Sequence, residues 1–485
     1  TASRELSGMG TPDAAGTPGT FSFFTSEPFA FEGKEMAGGK VYPVDVVDNV
    51  VLAQLHGPDN PFLVEGKGLV SDFSVFIDPE EPLVKLVLGD EERIVRVGEW
   101  TDWVPFEFKM VPTQSLAAEV RFYLKSVRPE FQLYASPPNF DPMAPMVPLS
   151  TPAGFATELA RASGRFYTQG MPEDTHTLSE GVFDVPEFLK QAKLAGKEIL
   201  DQYPHVLAGF DGGLLFYYFG NGDQVSHMMW RSLDPGHPAY DPARDAPYAD
   251  VIPGIYRQFD GIVGYTLEHM KPGTLLVVMS DHGFTSWRRK FQLNAWLAEN
   301  GYLARKDPSL QEDPGYFANV DWTKTRAYGL GINGLYINVR GRDRYGSVPP
   351  SERQALMDEI AERLLATIDP KTGTPAITHV FEREKAYHDR GYLEVGPDLV
   401  VGYAKGWRCA NESALGGVER EVFADNDDAW SGDHLMDPEA VPGVLLTSRP
   451  LKRPAARLKE LAASILAEFG IEGFPHRQAR RQGES

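Results

Sequence analysis

Between residues 20 and 150, short apolar runs follow one another, each closed by a turn. Phe21 to Phe24, Lys40 to Val44, Val50 to Leu55, Leu83 to Leu88, Ile94 to Val97, Phe106 to Met110, Ala118 to Leu124 and Phe131 to Ala135 carry strand-like content. Gly57-Pro58-Asp59-Asn60 and Gly89-Asp90 supply turn signals between them. Many short strands at this spacing predict a β-rich domain over residues 20–150. Residues 1–20 are dense in Gly, Thr, Pro and Ser and predict a loop leading in. Pro137-Pro138 and the Pro-rich stretch Pro142 to Pro152 mark the far boundary.

From residue 150 to 485 the pattern changes. Val185 to Gln202, Ile252 to Met270, Phe291 to Asn300, Ser351 to Thr367 and Pro454 to Phe469 predict helices. Gly213 to Gly220 and Leu275 to Met279 are continuous apolar runs, the pattern of strands buried on both faces. Leu399 to Tyr403 and Val444 to Thr447 predict later strands. Strands alternating with helices predict an α/β region, a mostly parallel sheet flanked by helices.

Charge narrows the partners. Of 485 residues, 47 are Lys or Arg and 68 are Asp or Glu, a formal net charge of −21. That sign disfavours a nucleic-acid backbone or an anionic membrane surface. An anionic substrate would need local help, such as bound cations. The single cysteine, Cys409, excludes an intrachain disulfide and a multi-cysteine zinc site. The apolar runs fall far short of the ~20 residues of a membrane-spanning helix.

Three constellations carry candidate chemistry. Asn221-Gly222-Asp223-Gln224-Val225-Ser226-His227 follows the first predicted buried strand. Asp223 and His227 are four apart, so on a helix they face one side and can share a metal ion. Ser280-Asp281-His282-Gly283-Phe284 follows the second predicted strand, and Gly283 lets the backbone bend close to a ligand. Trp430-Ser431-Gly432-Asp433-His434 is the third. Asp223, His227 and His434 together would give a three-ligand site with an open position.

The order Asp-x3-His, Ser-Asp-His-Gly, Gly-x-His resembles the ligand pattern of the alkaline phosphatase superfamily, most closely its type I phosphodiesterase/nucleotide pyrophosphatase branch. The resemblance covers about residues 150–450. It implies an alkaline-phosphatase-like α/β core at 150–485, with residues 20–150 as a β-rich insertion that shapes substrate access. It implies two divalent metal ions, zinc by family habit, with manganese also suited to an Asp/His donor set. Asp223, His227 and His434 would hold one ion, and Asp281 and His282 would be half of the other site. The implied activity is hydrolysis of a small phosphate ester by two-metal phosphoryl transfer. Family habit also points to a location outside the cytoplasm.

The family completes the second site with an Asp from its first strand and a Thr or Ser nucleophile, both N-terminal to the residue matched by Asp223. Gly209-Phe210-Asp211-Gly212 precedes an apolar run instead of following one. Thr11 and Thr17 lie in Gly/Pro loops with no strand before them. The chain therefore reads as the C-terminal portion of a longer enzyme lacking about 150–200 residues. The catalytic nucleophile is expected upstream of Thr1.

The stretch Met228 to Asp250 lies between two ligand motifs, which makes Arg231 and His237 candidate substrate contacts. Arg288 and Arg289 follow the second motif and are candidates to steer a phosphate. Asp425-Asn426-Asp427-Asp428 lacks the Gly and terminal Glu of an EF-hand loop and predicts a solvated loop. His176, His205, His269 and His388 have no ligand-spaced partner. A sulfatase, a metal-dependent phosphomutase and a non-catalytic metal-binding protein are the rival readings. The sulfatase Cys/Ser-x-Pro-x-Arg motif is absent, since Cys409 sits in Arg408-Cys409-Ala410-Asn411.

Overall fold

The computed structural model describes residues 3–31, 36–63, 67–310, 313–387 and 391–471. His388 lies outside them. The chain divides into two compact units, Thr1–Val225 and Ser226–Ser485.

The first unit opens with strands β1 (Phe21–Thr25), β2 (Gly39–Pro43), β3 (Val50–Asp59), β4 (Gly68–Ile77), β5 (Leu83–Leu88), β6 (Glu91–Arg96), β7 (Val104–Val111), β8 (Gln114–Val120), β9 (Phe122–Ser126) and β10 (Gln132–Ala135). They pair as a meander β3-β4-β5-β6, a second sheet β9-β10-β1-β2 and a hairpin β7-β8. Two-residue periodicity builds these sheets: Leu69, Phe73, Val75 and Ile77 of β4 are buried, while Val70 and Phe76 are exposed. Val84, Leu86 and Leu88 of β5 continue the buried face. The core joins them to Phe24, Phe108, Phe122, Leu133, Phe155 and Leu159. Each fully buried side chain of this kind contributes roughly 1.5–3 kcal/mol.

Helices α1 (Phe155–Ser163), α2 (Thr175–Ser179), α3 (Val185–Ala208) and α4 (Asn221–Met229) follow. The start of α3 is fixed by a reciprocal cap: Glu187 N–H donates to Asp184 Oδ1 at 2.9 Å, and Asp184 N–H donates to Glu187 Oε2 at 2.8 Å. A side chain at Gly196 would stand 3.2 Å from Asn221 Nδ2, so this glycine lets the first residue of α4 approach α3 closely.

The second unit contains α5 (Val251–His269), β11 (Val277–Met279), β12 (Thr285–Ser286), β13 (Arg289–Phe291), α6 (Leu293–Glu299), β14 (Ala327–Gly329), β15 (Gly334–Ile337), α7 (Arg353–Leu365), β16 (Ile377–Glu382), β17 (Leu399–Tyr403), β18 (Trp407–Cys409), β19 (Phe423–Asp425), β20 (Gly432–Asp433), β21 (Leu445–Thr447) and α8 (Leu458–Glu468). Its core is built on the sheet β14-β15-β17-β16 and on α7, whose Leu356, Met357, Ile360 and Leu364 are buried at helical spacing.

Several expectations change. The chain is a mixed α/β protein with many small sheets, and among the described residues most ladders of region 150–485 are antiparallel. Between its named strands, β13 and β18 run parallel. For β14 and β15 the reason is connection length: only residues 330–333 separate them, whereas a parallel crossover needs a dozen or more. Gly213 to Gly220 forms no strand among the described residues. Its alternate residues Leu214 and Phe216 are exposed, while Tyr217 and Phe219 pack their rings on Tyr203 of α3. An apolar run thus marked one covered face, not two. Leu275 to Met279 shortens to β11, which is half-buried and pairs antiparallel with β21. Gly57 to Asp59 continues β3 instead of turning, with a register shift between His56 and Asp59.

Candidate metal centre

Asp223 and His227 lie one turn apart on α4, the helix along which the chain passes from the first unit to the second. The i, i+4 spacing puts them on one face. His227 is buried, and its Nδ1 is 2.8 Å from the Gly432 carbonyl oxygen. A carbonyl only accepts, so Nδ1 carries the proton. The His227 ring also stacks on Trp430, with centroids 3.9 Å apart.

The third motif is fastened to the end of α4. Ser431 N–H donates to the His227 carbonyl at 2.8 Å, and Arg231 N–H donates to Ser431 Oγ at 3.0 Å. Gly432 permits this closeness, because a Cβ there would stand 2.5 Å from Trp230 Cβ and 2.8 Å from Ser226 O. The two-residue ladder β12-β20 sets Thr285 opposite Asp433 and Ser286 opposite Gly432, which joins the second motif to the third.

His434 is held through its neighbour. Asp433 is fully buried, and its Oδ1 accepts the N–H groups of His434 (2.7 Å) and Leu435 (2.8 Å). Its Oδ2 accepts from Trp430 Nε1 at 2.9 Å and pairs with Arg408 Nε at 2.7 Å. The Arg408 guanidinium lies over the Trp287 ring, 4.3 Å from its centroid. Sequence reasoning passed over Arg408, because it lies 26 positions before His434 and outside any motif spacing.

Asp223, His227 and His434 each present one ligand atom, and these atoms lie within 4.8 Å of one another. One carboxylate and two imidazoles fit a divalent cation such as zinc or manganese. The His282 ring lies against His434, and its Nδ1 is 3.0 Å from the Gly283 carbonyl. Asp281 is beside it and exposed, with Oδ2 3.5 Å from His282 Nε2. The Pro442 carbonyl lies over Gly283, where it would stand 2.5 Å from a Cβ.

The outlying candidates are bound into the fold. Arg231 Nε is 3.3 Å from Asp245 Oδ2, and its Nη1 donates to the Asp428 carbonyl at 3.2 Å. Buried His237 donates from Nε2 to the Trp287 carbonyl (3.0 Å) and accepts the Ala239 N–H at Nδ1 (3.2 Å). Burial lowers its pKa. Arg288 forms a fork on Asp234, at 2.7 and 2.6 Å. Arg289 is held by Asp369 and Asp425. The acidic stretch 425–428 is solvated only in part: Asp427 is exposed, Asp425 pairs with Arg289, Asp428 pairs with Lys290 at 2.9 Å, and Asn426 is buried. The Thr11 hydroxyl donates to Gly8 O at 2.7 Å and that of Thr17 to Asp13 Oδ2 at 2.6 Å.

One buried carboxyl near the first motif went unnoticed in the sequence. Glu173 is 5% exposed, and burial pushes its pKa up to about 7, with Asp223 adding to the shift.

The family model for type I phosphodiesterase / nucleotide pyrophosphatase matches residues 167–430. The chain belongs to this family. The match covers just over half of its length and places it in the alkaline phosphatase superfamily. Asp223, His227, Asp281 and His282 fall within the matched stretch, and His434 lies four residues beyond it. The family implies small phosphate-ester substrates for this phosphodiesterase-family chain. No curated protein and no solved structure matches the chain significantly. Among the described residues, no helix is long and apolar enough to cross a membrane.

Proposed function

We propose that this protein is a metal-dependent hydrolase of phosphate esters, of the phosphodiesterase/nucleotide pyrophosphatase kind. Asp223, His227 and His434 hold one divalent ion, and Asp281 and His282 supply half of the shell of a second. The family implies an alkaline-phosphatase-like α/β fold for this reading. The observation that carries it is the convergence of Asp223, His227 and His434 to within 4.8 Å from positions 211 residues apart in sequence, in a chain of this family.

Bound cations would supply Lewis-acid stabilisation of the phosphoryl oxygens and lower the pKa of an attacking hydroxyl. The chain's own residues set the stage. The Gly432 carbonyl fixes the His227 tautomer. Asp433 pins the backbone of His434 through two N–H donors and is itself neutralised by Arg408. The loop bearing Arg231 and His237 acts here as scaffold: Arg231 and His237 spend their donors on Asp245, Asp428 and Trp287, which leaves them as positioning groups for the rim. A chain of net charge −21 can accept an anionic ester only where such cations offset it.

The test is hydrolysis of bis(p-nitrophenyl) phosphate and of p-nitrophenyl phosphate by the zinc-loaded and manganese-loaded enzyme with its nucleophile present, with a chelated control and the Asp281→Ala variant. Hydrolysis that is abolished by chelation and by Asp281→Ala supports the reading. Hydrolysis that persists in the chelated protein, or an unaltered Asp281→Ala variant, contradicts it.

A further inference from the structure

The second motif ends on Phe284, an apolar residue with no ligand atom to offer. Its ring nevertheless lies among three imidazoles of the candidate centre. The centroid distances are 4.7 Å to His227, 5.4 Å to His434 and 6.1 Å to His282. The ring meets His227 at 68° and His434 at 62°, the edge-to-face arrangement that aromatic pairs prefer. Phe284 and the three histidines all belong to the second unit.

Its surroundings hold the ring in place. Trp230 stacks on it, with centroids 5.4 Å apart and planes 27° from parallel. Trp230 is itself packed against Gly432, where a Cβ would stand 2.5 Å from its own Cβ. The backbone is tied on either side of Phe284: Gly283 N–H donates to the Val441 carbonyl at 2.8 Å, and Thr285 pairs with Asp433 in the β12-β20 ladder. An imidazole that ligates an ion must keep one ring orientation. For His227 and His282 a backbone carbonyl holds Nδ1, at 2.8 and 3.0 Å, but one hydrogen bond still lets a ring rock about it. A flat apolar ring alongside restricts that motion and brings no polar atom to compete for the nitrogens.

Resting on the metal reading above, we propose that Phe284 is a positioning residue of the metal centre, one that acts through the histidines. A single ring sets the orientation of His227 and His434, assigned to one ion, and reaches His282, assigned to the other. The ligands are thereby arranged before a cation arrives, and less order has to be imposed when it binds. Packing alone would be served by any apolar side chain of similar size. Orientation of imidazoles needs the flat ring.

The experiment titrates the whole chain with zinc alone by calorimetry, and with cobalt(II) by visible absorption, whose bands report the geometry around the ion. Wild type, Phe284→Leu, Phe284→Met, Phe284→Tyr and His434→Ala are compared. Leu356→Ala, a core change in α7, serves as the control for lost stability. Phe284→Leu and Phe284→Met are expected to weaken zinc binding about tenfold or more with the stoichiometry retained, and to shift the cobalt bands. The two differ in shape, which covers the case in which one of them does not fold. Phe284→Tyr keeps the ring and is expected to stay close to wild type. Leu356→Ala is expected to lower the melting temperature and move neither metal readout. Unchanged zinc affinity and cobalt bands in a folded Leu or Met variant overturn the proposal while leaving the metal centre intact. An equal loss of affinity in Leu356→Ala also overturns it, because the effect would then be one of stability. A wild type that binds zinc no better than His434→Ala overturns both.

Discussion

The imidazole rings of His282 and His434 lie face to face, with centroids 3.6 Å apart and planes 12° from parallel. They come from two motifs 152 positions apart in sequence. The contact is possible because the β12-β20 ladder aligns Thr285 with Asp433 just beside both histidines. Residues assigned to two neighbouring ions in the proposed mechanism thus share one wall. A disturbance of that wall should reach both halves of the centre.

Gly432→Ala tests the wall directly. Its Cβ would meet Trp230 Cβ at 2.5 Å and the Ser226 carbonyl at 2.8 Å, and neither belongs to a flexible side-chain end. Overpacking of this kind costs about 1–3 kcal/mol. The expected outcome is a lower urea midpoint together with weaker zinc binding, since His227 loses its carbonyl partner. A variant as stable as wild type would show that the chain relaxes easily there.

Arg408→Ala should be the most destabilising single change near the site. It leaves Asp433 fully buried without its cation, a situation that costs about 3–5 kcal/mol. Adding Asp433→Asn should restore part of the loss, because the stranded charge is gone. Chemical denaturation of the two single variants and the double variant measures the coupling. Strict additivity would mean that the pair contributes no interaction.

A pH effect is expected at His379, whose partner Asp437 lies three positions after His434 in the sequence. Its Nδ1 contacts the buried Asp437 carboxylate, which raises the imidazole pKa, and Asp437 is correspondingly lowered despite its burial. A raised folded-state pKa stabilises fully below the unfolded value of about 6.5 and is lost as pH rises through the folded value. The lowered Asp437 contributes above about 3.9 and loses its contribution as pH falls through its folded value. The stabilisation is thus greatest near pH 5–6, by roughly 1 kcal/mol at most, because the His379 ring is half exposed. His379→Gln should be destabilised relative to wild type at pH 5.5 and match it at pH 9. A constant difference across that range would contradict the ion-pair account.

The site was legible in the sequence where chemistry is carried by close spacing. Asp223 and His227 are a helical turn apart, Asp281 and His282 are adjacent, and His434 follows a glycine that packing requires. What lay at long range was not legible. Arg408 reaches the centre through Asp433, and no local pattern announces it. Strand content was readable in the first unit because β3 and β5 are short runs rich in Val and Leu and β7 alternates Phe with polar residues. β4 escaped because Ser71 interrupts its buried face and Asp72 and Ser74 on the other face break the apolar run. In the second unit the apolar runs gave location but not pairing. Val277 to Met279 met an antiparallel partner, and 213–220 was covered on one side by the rings around Tyr203.

Metal stoichiometry and affinity of the purified chain test the central claim most directly. Elemental analysis after gel filtration, combined with zinc titration of wild type and His434→Ala, reads the three-ligand centre by itself. The account predicts a tightly held ion per chain at Asp223, His227 and His434, lost or weakened at least tenfold in His434→Ala. A chain that takes up no divalent ion, or a His434→Ala variant with unchanged metal content, would contradict it.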